Sequence, residues 1–196
     1  MKTITIIFSL GIMTSLSCQK KEELTVEEVE DLTFLREEEK LARDVYLYAF
    51  DKYGEDIFTN IAATEEKHMN KVLTILNDYD ISDPASNVRG EFTNQVLQNL
   101  YNDLTFLVDS SLVQALKVGA TIEDLDINDI NLNISRTDKD EILDMYEKLN
   151  CGSRNHMRAF TNALTENNET YTVQYISESD YDAILASSNE SCGWYN

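Results

Sequence analysis

Thr64-Glu65-Glu66-Lys67-His68 is one turn of a stretch that reads as a long helix. Glu65 and His68 are three residues apart, so on a helix they stand one above the other on the same face. A carboxylate and an imidazole at that spacing can hold one metal ion between them. Helix bundles with paired metal ions use Glu-x-x-His in this way, with further carboxylates arriving from neighbouring helices. A single such pair is a short pattern. Its weight comes from three other helical stretches, each of which sets a metal-type side chain on its apolar face.

The first of these runs from a capping-box pattern, Thr25-x-x-Glu28, to about Tyr53, where Gly54 stops it. Stepping about 100° per residue, Phe34, Leu35, Leu41, Ala42, Val45, Tyr46, Tyr48 and Ala49 form one apolar arc. Glu38 falls at its centre, while Glu37 and Glu39 fall to either side. A carboxylate in the middle of an apolar face is costly unless it is paired or bound to a cation. The second helix spans about Glu55 to Tyr79 and carries Glu65 and His68 on a stripe of Phe58, Ile61, Ala62, Met69, Val72, Leu73 and Leu76. A loop follows, from Asp80 to Gly90, with the chain's one proline at Pro84.

Glu91 to Leu107 reads as another helix without a candidate ligand on its apolar face, which suits a crossover between the second and third core helices. The third core helix begins near Ser110 or Ser111 and continues to about Ile130. Glu123 and Asp126 both lie on its face, and two bare carboxylates there would repel one another. A cation between them removes the difficulty. After a turn at 131 to 136, Thr137 opens the fourth core helix, to about Leu164, with His156 on its stripe. Ser153, three residues earlier, stands where a second Glu-x-x-His would place its Glu. Arg43, Arg154 and Arg158 are the alternative: they can neutralise buried carboxylates as ion pairs. A short helix is signalled by Ser177-x-x-Asp180.

With 196 residues, the chain suffices for one sizeable domain, here residues 27–190. A formal charge of −20 argues against a nucleic-acid partner, whose phosphates require a basic surface. Residues 1–17 have the charged start, apolar run and small-residue end of an export signal, and residues 18–26 read as a polar tether. Cys18 directly after Leu16-Ser17 resembles the lipidated cysteine of a bacterial lipoprotein, although Ser15 replaces the usual bulky residue; an ordinary secretory signal is the other reading. Cys18-Gln19-Lys20-Lys21-Glu22-Glu23 also resembles a surface-export tag. The expected location is therefore the cell envelope, with a lipid anchor in the outer membrane. Cys151 and Cys192 are left as a disulfide or as two free thiols.

Leu35 to Tyr46, Thr64 to Met69, Val118 to Glu123 and Gly152 to Phe160 together resemble the ferritin-like "domain of unknown function 2202" family. Tyr175-Ile176-Ser177 and Tyr181 belong to the same pattern. The resemblance spans about residues 32 to 188 and implies an all-α, ferritin-like four-helix bundle, but no particular reaction. The resulting candidate set is Glu38, Glu65, His68, Glu123, Asp126 and His156, which suits two iron ions, with manganese or zinc as other occupants. Such a centre reacts with oxygen or peroxide; the alternative is a non-enzymatic module that stores or senses metal or binds another envelope protein. The chain has no Cys-x-x-Cys pair for a rubredoxin-type centre, so an electron donor would be external.

Overall fold

The computed structural model describes residues 22–193. The signal segment 1–17, the lipidation candidate Cys18 and residues 19–21 of the tether lie outside the described residues. Among the described residues the chain is all-α, with six helices and no strand. They are α1 (Val26–Tyr53), α2 (Asp56–Asp78), α3 (Gln95–Val108), α4 (Leu112–Ile134), α5 (Asp140–Glu166) and α6 (Glu178–Ala186). None of the described helices is long and apolar enough to cross a membrane.

Local chemistry sets most of the boundaries. Thr25 and Glu28 exchange reciprocal side-chain-to-backbone bonds at the start of α1, and Gly54 ends it at φ 70°. Asn94, Ser111 and Ser177 cap α3, α4 and α6 with their side chains. Two starts differ from expectation. α3 begins at Gln95 rather than Glu91, because the Thr93 and Asn94 amides donate to the Glu37 carboxylate and the Glu91 carbonyl accepts from Lys40. α5 begins at Asp140 rather than Thr137, whose hydroxyl donates to Glu28 at 2.6 Å. α4 also runs one turn beyond Ile130.

α1 packs most extensively on α2, and α4 on α5. The two hairpins meet through α1 against α4 and α2 against α5, while α3 lies along α1 and α4. The apolar core falls into two clusters. One gathers Val45, Tyr46, Phe58, Leu97, Leu116, Ile122, Met157 and Phe160; the other gathers Leu32, Leu35, Val72, Leu76, Ile142, Met145, Tyr146 and Leu149. In each long helix the residues between the two sets are polar and buried: Glu38 and Glu39, Glu65 and His68, Glu123 and Asp126, Ser153 and His156. Tyr146 is an ordinary core tyrosine of the second cluster. Gly119 admits the Phe160 ring, since a Cβ there would stand 2.4 Å from it.

The loop between α2 and α3 covers the remaining side of α1. Fully buried Lys40 donates to Asp44 at 2.6 Å and to the Val88 and Glu91 carbonyls, and its ammonium lies over the Phe92 ring. Arg36 grips Asp83 with two bonds, and Asp44 also accepts from the Gly90 amide. Removing one partner of a buried ion pair strands the other charge. Lys40→Ala is therefore expected to lower unfolding free energy by about 3 kcal/mol or more in urea denaturation. A loss within about 0.5 kcal/mol, the usual range for an inconsequential surface change, would contradict this role.

Candidate metal centre

The polar layer brings together two donor groups, Glu39–Glu65–His68 and Glu65–Glu123–His156. In each, one nitrogen and two carboxylate oxygens lie within 4.8 Å of one another. Glu65 belongs to both. Its Oε2 lies 2.7 Å from His68 Nδ1 and its Oε1 lies 2.7 Å from His156 Nδ1. Glu39 Oε2 is 3.1 Å from His68 Nδ1, and Glu123 Oε2 is 3.4 Å from His156 Nδ1. The two imidazoles face each other at 5.7 Å between centroids, tilted by 28°. A carboxylate with one oxygen toward each of two imidazoles has the disposition of a bridge.

Of the six candidates read from sequence, Glu65, His68, Glu123 and His156 meet in these groups. Asp126 is fully buried in the same layer but belongs to neither group. Glu38 also stands outside them, and feels the charges of Asp129 of α4 and of Glu39. Glu39 occupies the place expected for Glu38. A single buried stripe on α1 would centre on Glu38. In fact its Glu37, Glu38, Glu39 and Lys40 are all buried, because α2 and the 79–94 loop enclose the helix from several sides. A one-face pattern cannot find Glu39. The signal available was the unbroken charged run inside a helix that other residues mark as central.

Two further residues shape the layer. The Tyr46 hydroxyl donates to Glu123 Oε1 and fixes that carboxylate. Gly152 makes room for His68: a Cβ on Gly152 would stand 2.5 Å from His68 Nε2. Ser153, in contrast, turns its hydroxyl to the Leu149 carbonyl of its own helix at 3.2 Å. It contributes nothing to either group.

The donor chemistry fits a cation. Both oxygens of Glu38 and of Asp126 are buried without a hydrogen-bond donor, as is one oxygen each of Glu39 and Glu123. The short Glu65–imidazole approaches also lack hydrogen-bond geometry, so they do not satisfy its oxygens. Buried carboxylates left this way are costly. The arginines that might have neutralised them are engaged elsewhere: Arg43 with Asp44 and Glu66, Arg154 and Arg158 with Glu190. Five carboxylates and two imidazoles therefore share one dry layer with no Lys or Arg ion pair to them among the described residues.

Without a metal ion, protons must do the balancing. Burial pushes Glu38 and Asp126 far above the ordinary carboxylate range, and neighbouring acids push them further. Burial likewise lifts Glu39 to about 7, against the pull of His68. Burial opposes charge on His68, but Glu65 and Glu39 outweigh it and raise the imidazole to about 9. Glu65, flanked by both imidazoles, is held below its ordinary value despite burial.

This chain belongs to the family described as "Uncharacterized protein domain (DUF2202)", whose profile it matches over residues 28–188. Uncharacterized protein MJ0754 of Methanocaldococcus jannaschii is 48% identical over 176 residues, covering 89% of this chain and 95% of that relative. A crystal structure of hypothetical protein MJ0754 from Methanococcus jannaschii DSM 2661 superposes with a TM-score of 0.86 at 48% identity. It covers 89% of this chain and 100% of the other.

Two outcomes follow from the geometry. His68 binds its proton more tightly when folded, a contribution present below its ordinary value of 6.5 and lost as pH rises through about 9. The penalty for ionising Glu39 grows between 4.5 and about 7, so it acts in the same direction. The thermal midpoint of metal-free protein should therefore fall from about pH 5 to about pH 9. A flat profile would contradict the assignment. Gly152→Ala should favour helix by about 1 kcal/mol, but its methyl drives into His68. Overpacking of about 1–3 kcal/mol should outweigh that gain and lower stability in urea. A net stabilisation would show that the contact is soft.

Proposed function

We propose that this protein is a ferritin-like four-helix bundle that binds two iron or manganese ions and reacts with oxygen or hydrogen peroxide. α1, α2, α4 and α5 would be the bundle and α3 the crossover. The observation that carries the reading is Glu65, buried, with one oxygen toward each of two imidazoles and a further carboxylate beside each. That set of oxygen and imidazole donors suits iron and manganese, and zinc would also fit. Glu39, Glu65 and His68 would hold one ion, and Glu65, Glu123 and His156 the other.

The bound ions would supply electrons to oxygen or peroxide; the chain supplies everything else. Tyr46 holds Glu123 in orientation, and the two apolar clusters exclude water from both sides of the layer. His156, at 7% exposure the most accessible of the seven layer residues, marks the side from which a small oxidant enters. Glu38 and Asp126, held protonated by burial, are positioned to give up protons as cations arrive. Bonding of Cys151 to Cys192 favours an oxidising compartment, in keeping with export and a lipid anchor at Cys18.

Elemental analysis of the purified protein beside Glu65→Ala/His156→Ala tests the reading. About two iron or manganese ions per chain are expected in the parent, with most lost in the variant. Absence of metal from the parent after anaerobic addition of ferrous iron would overturn it. Peroxide consumption by the loaded parent then separates an oxidoreductase from a metal store or sensor, which would retain the ions without turnover.

A further inference from the structure

The one disulfide among the described residues, Cys151–Cys192, ties the C-terminal segment to α5 one residue before Gly152. Cys151 precedes Gly152, the residue whose backbone lies directly on the His68 imidazole. Four residues on, one helical turn along the same face, is His156. The other sulfur lies on the outside: Cys192 is half-buried, in the segment that follows α6. One end of the disulfide thus reaches toward solvent, and the other is joined by a single peptide unit to the packing of a candidate ligand.

A staple alone does not account for this arrangement, because the segment is held without it. The Asn155 side chain pairs with the Glu190 backbone in both directions, at 3.1 Å and 2.9 Å. Arg154 and Arg158 both donate to the Glu190 carboxylate, at 2.8 Å and 2.9 Å. Arg158 also donates to the Ile184 carbonyl. Opening the Sγ–Sγ bond would leave Cys192 beside Cys151, with the Asn155 amide 3.3 Å from its sulfur as a donor to a thiolate. A bond that opens without releasing its partners can close again, which is what a cycling couple requires.

We propose that Cys151 and Cys192 are a two-electron redox couple that feeds the buried histidine–carboxylate centre. The proposal rests on the metal-binding reading above and names the missing electron route. An external dithiol reduces the disulfide by exchange at Cys192, leaving two thiols here and a disulfide on the donor. Re-forming the Sγ–Sγ bond releases two electrons and two protons. The electrons reduce two ferric ions at the centre to ferrous. Hydrogen peroxide then takes up two electrons and two protons, its O–O bond breaks, and two waters leave. The sum is one dithiol oxidised per peroxide reduced.

The test uses the full chain, reduced without metal, freed of reductant and mixed anaerobically with two equivalents of ferric citrate. Free thiols are counted by alkylation and mass spectrometry, and ferrous iron by a chromogenic chelator after quenching. The parent should lose both thiols and yield two ferrous ions, about tenfold faster than protein whose centre is first filled with redox-inert zinc. Cys151→Ser/Cys192→Ser should bind the iron and leave it ferric. Thiols that persist beside bound iron, or that vanish equally fast in the zinc-filled protein, would overturn the couple while leaving the metal centre intact. Failure of the parent to retain iron by elemental analysis would overturn both.

Discussion

Electrostatic balance within one buried layer governs this structure. Glu38, Glu39, Glu65, Glu123 and Asp126 sit between two apolar clusters with His68 and His156 as the basic groups among them. Burial keeps water from solvating them, and among the described residues no arginine or lysine pairs with them. Protons or a cation must balance them. Because every long helix contributes to the layer, whatever balances it also decides how the two hairpins close on each other. The apolar clusters supply most of the favourable burial on either side. The layer between them fixes register, since a slip of one residue along α2 would separate Glu65 and His68 from their partners.

The all-α class was legible from periodicity and caps, and the Thr25 box, the Gly54 stop and the Ser111 and Ser177 caps stand where they were read. Glu65, Glu123 and His156 were legible because a polar residue on an apolar stripe is conspicuous, and His68 because it stands three residues from Glu65. Glu39 was not. A helix enclosed from several sides has no solvent face against which to set a stripe, so the wheel favoured Glu38. Enclosure depends on Lys40, Arg36, Glu37 and Asp44 binding the 79–94 loop, and those contacts span about 50 positions, beyond any local pattern. The same loop contacts account for the shortened start of α3. Pairing of Cys151 with Cys192 was equally illegible, as spacing alone does not bring two cysteines together.

The centre and the C-terminal segment converge on one face of α5. Gly152 accommodates His68, Asn155 holds the backbone at Glu190, and His156 enters the layer, all within five residues. That concentration brings the C-terminal segment and the polar layer to the same turns of α5. It also makes α5 the element through which chemistry at the sulfurs and chemistry at the imidazoles can be coupled.

The central claim is that Glu65 lies between two cations. Anomalous X-ray diffraction from crystals of iron-loaded protein, collected on both sides of the iron absorption edge, tests it most directly. The account expects two anomalous peaks, one flanked by Glu39, Glu65 and His68 and the other by Glu65, Glu123 and His156. A layer without a peak, with the same imidazole–carboxylate contacts retained, would contradict it and identify the layer as a proton-balanced core.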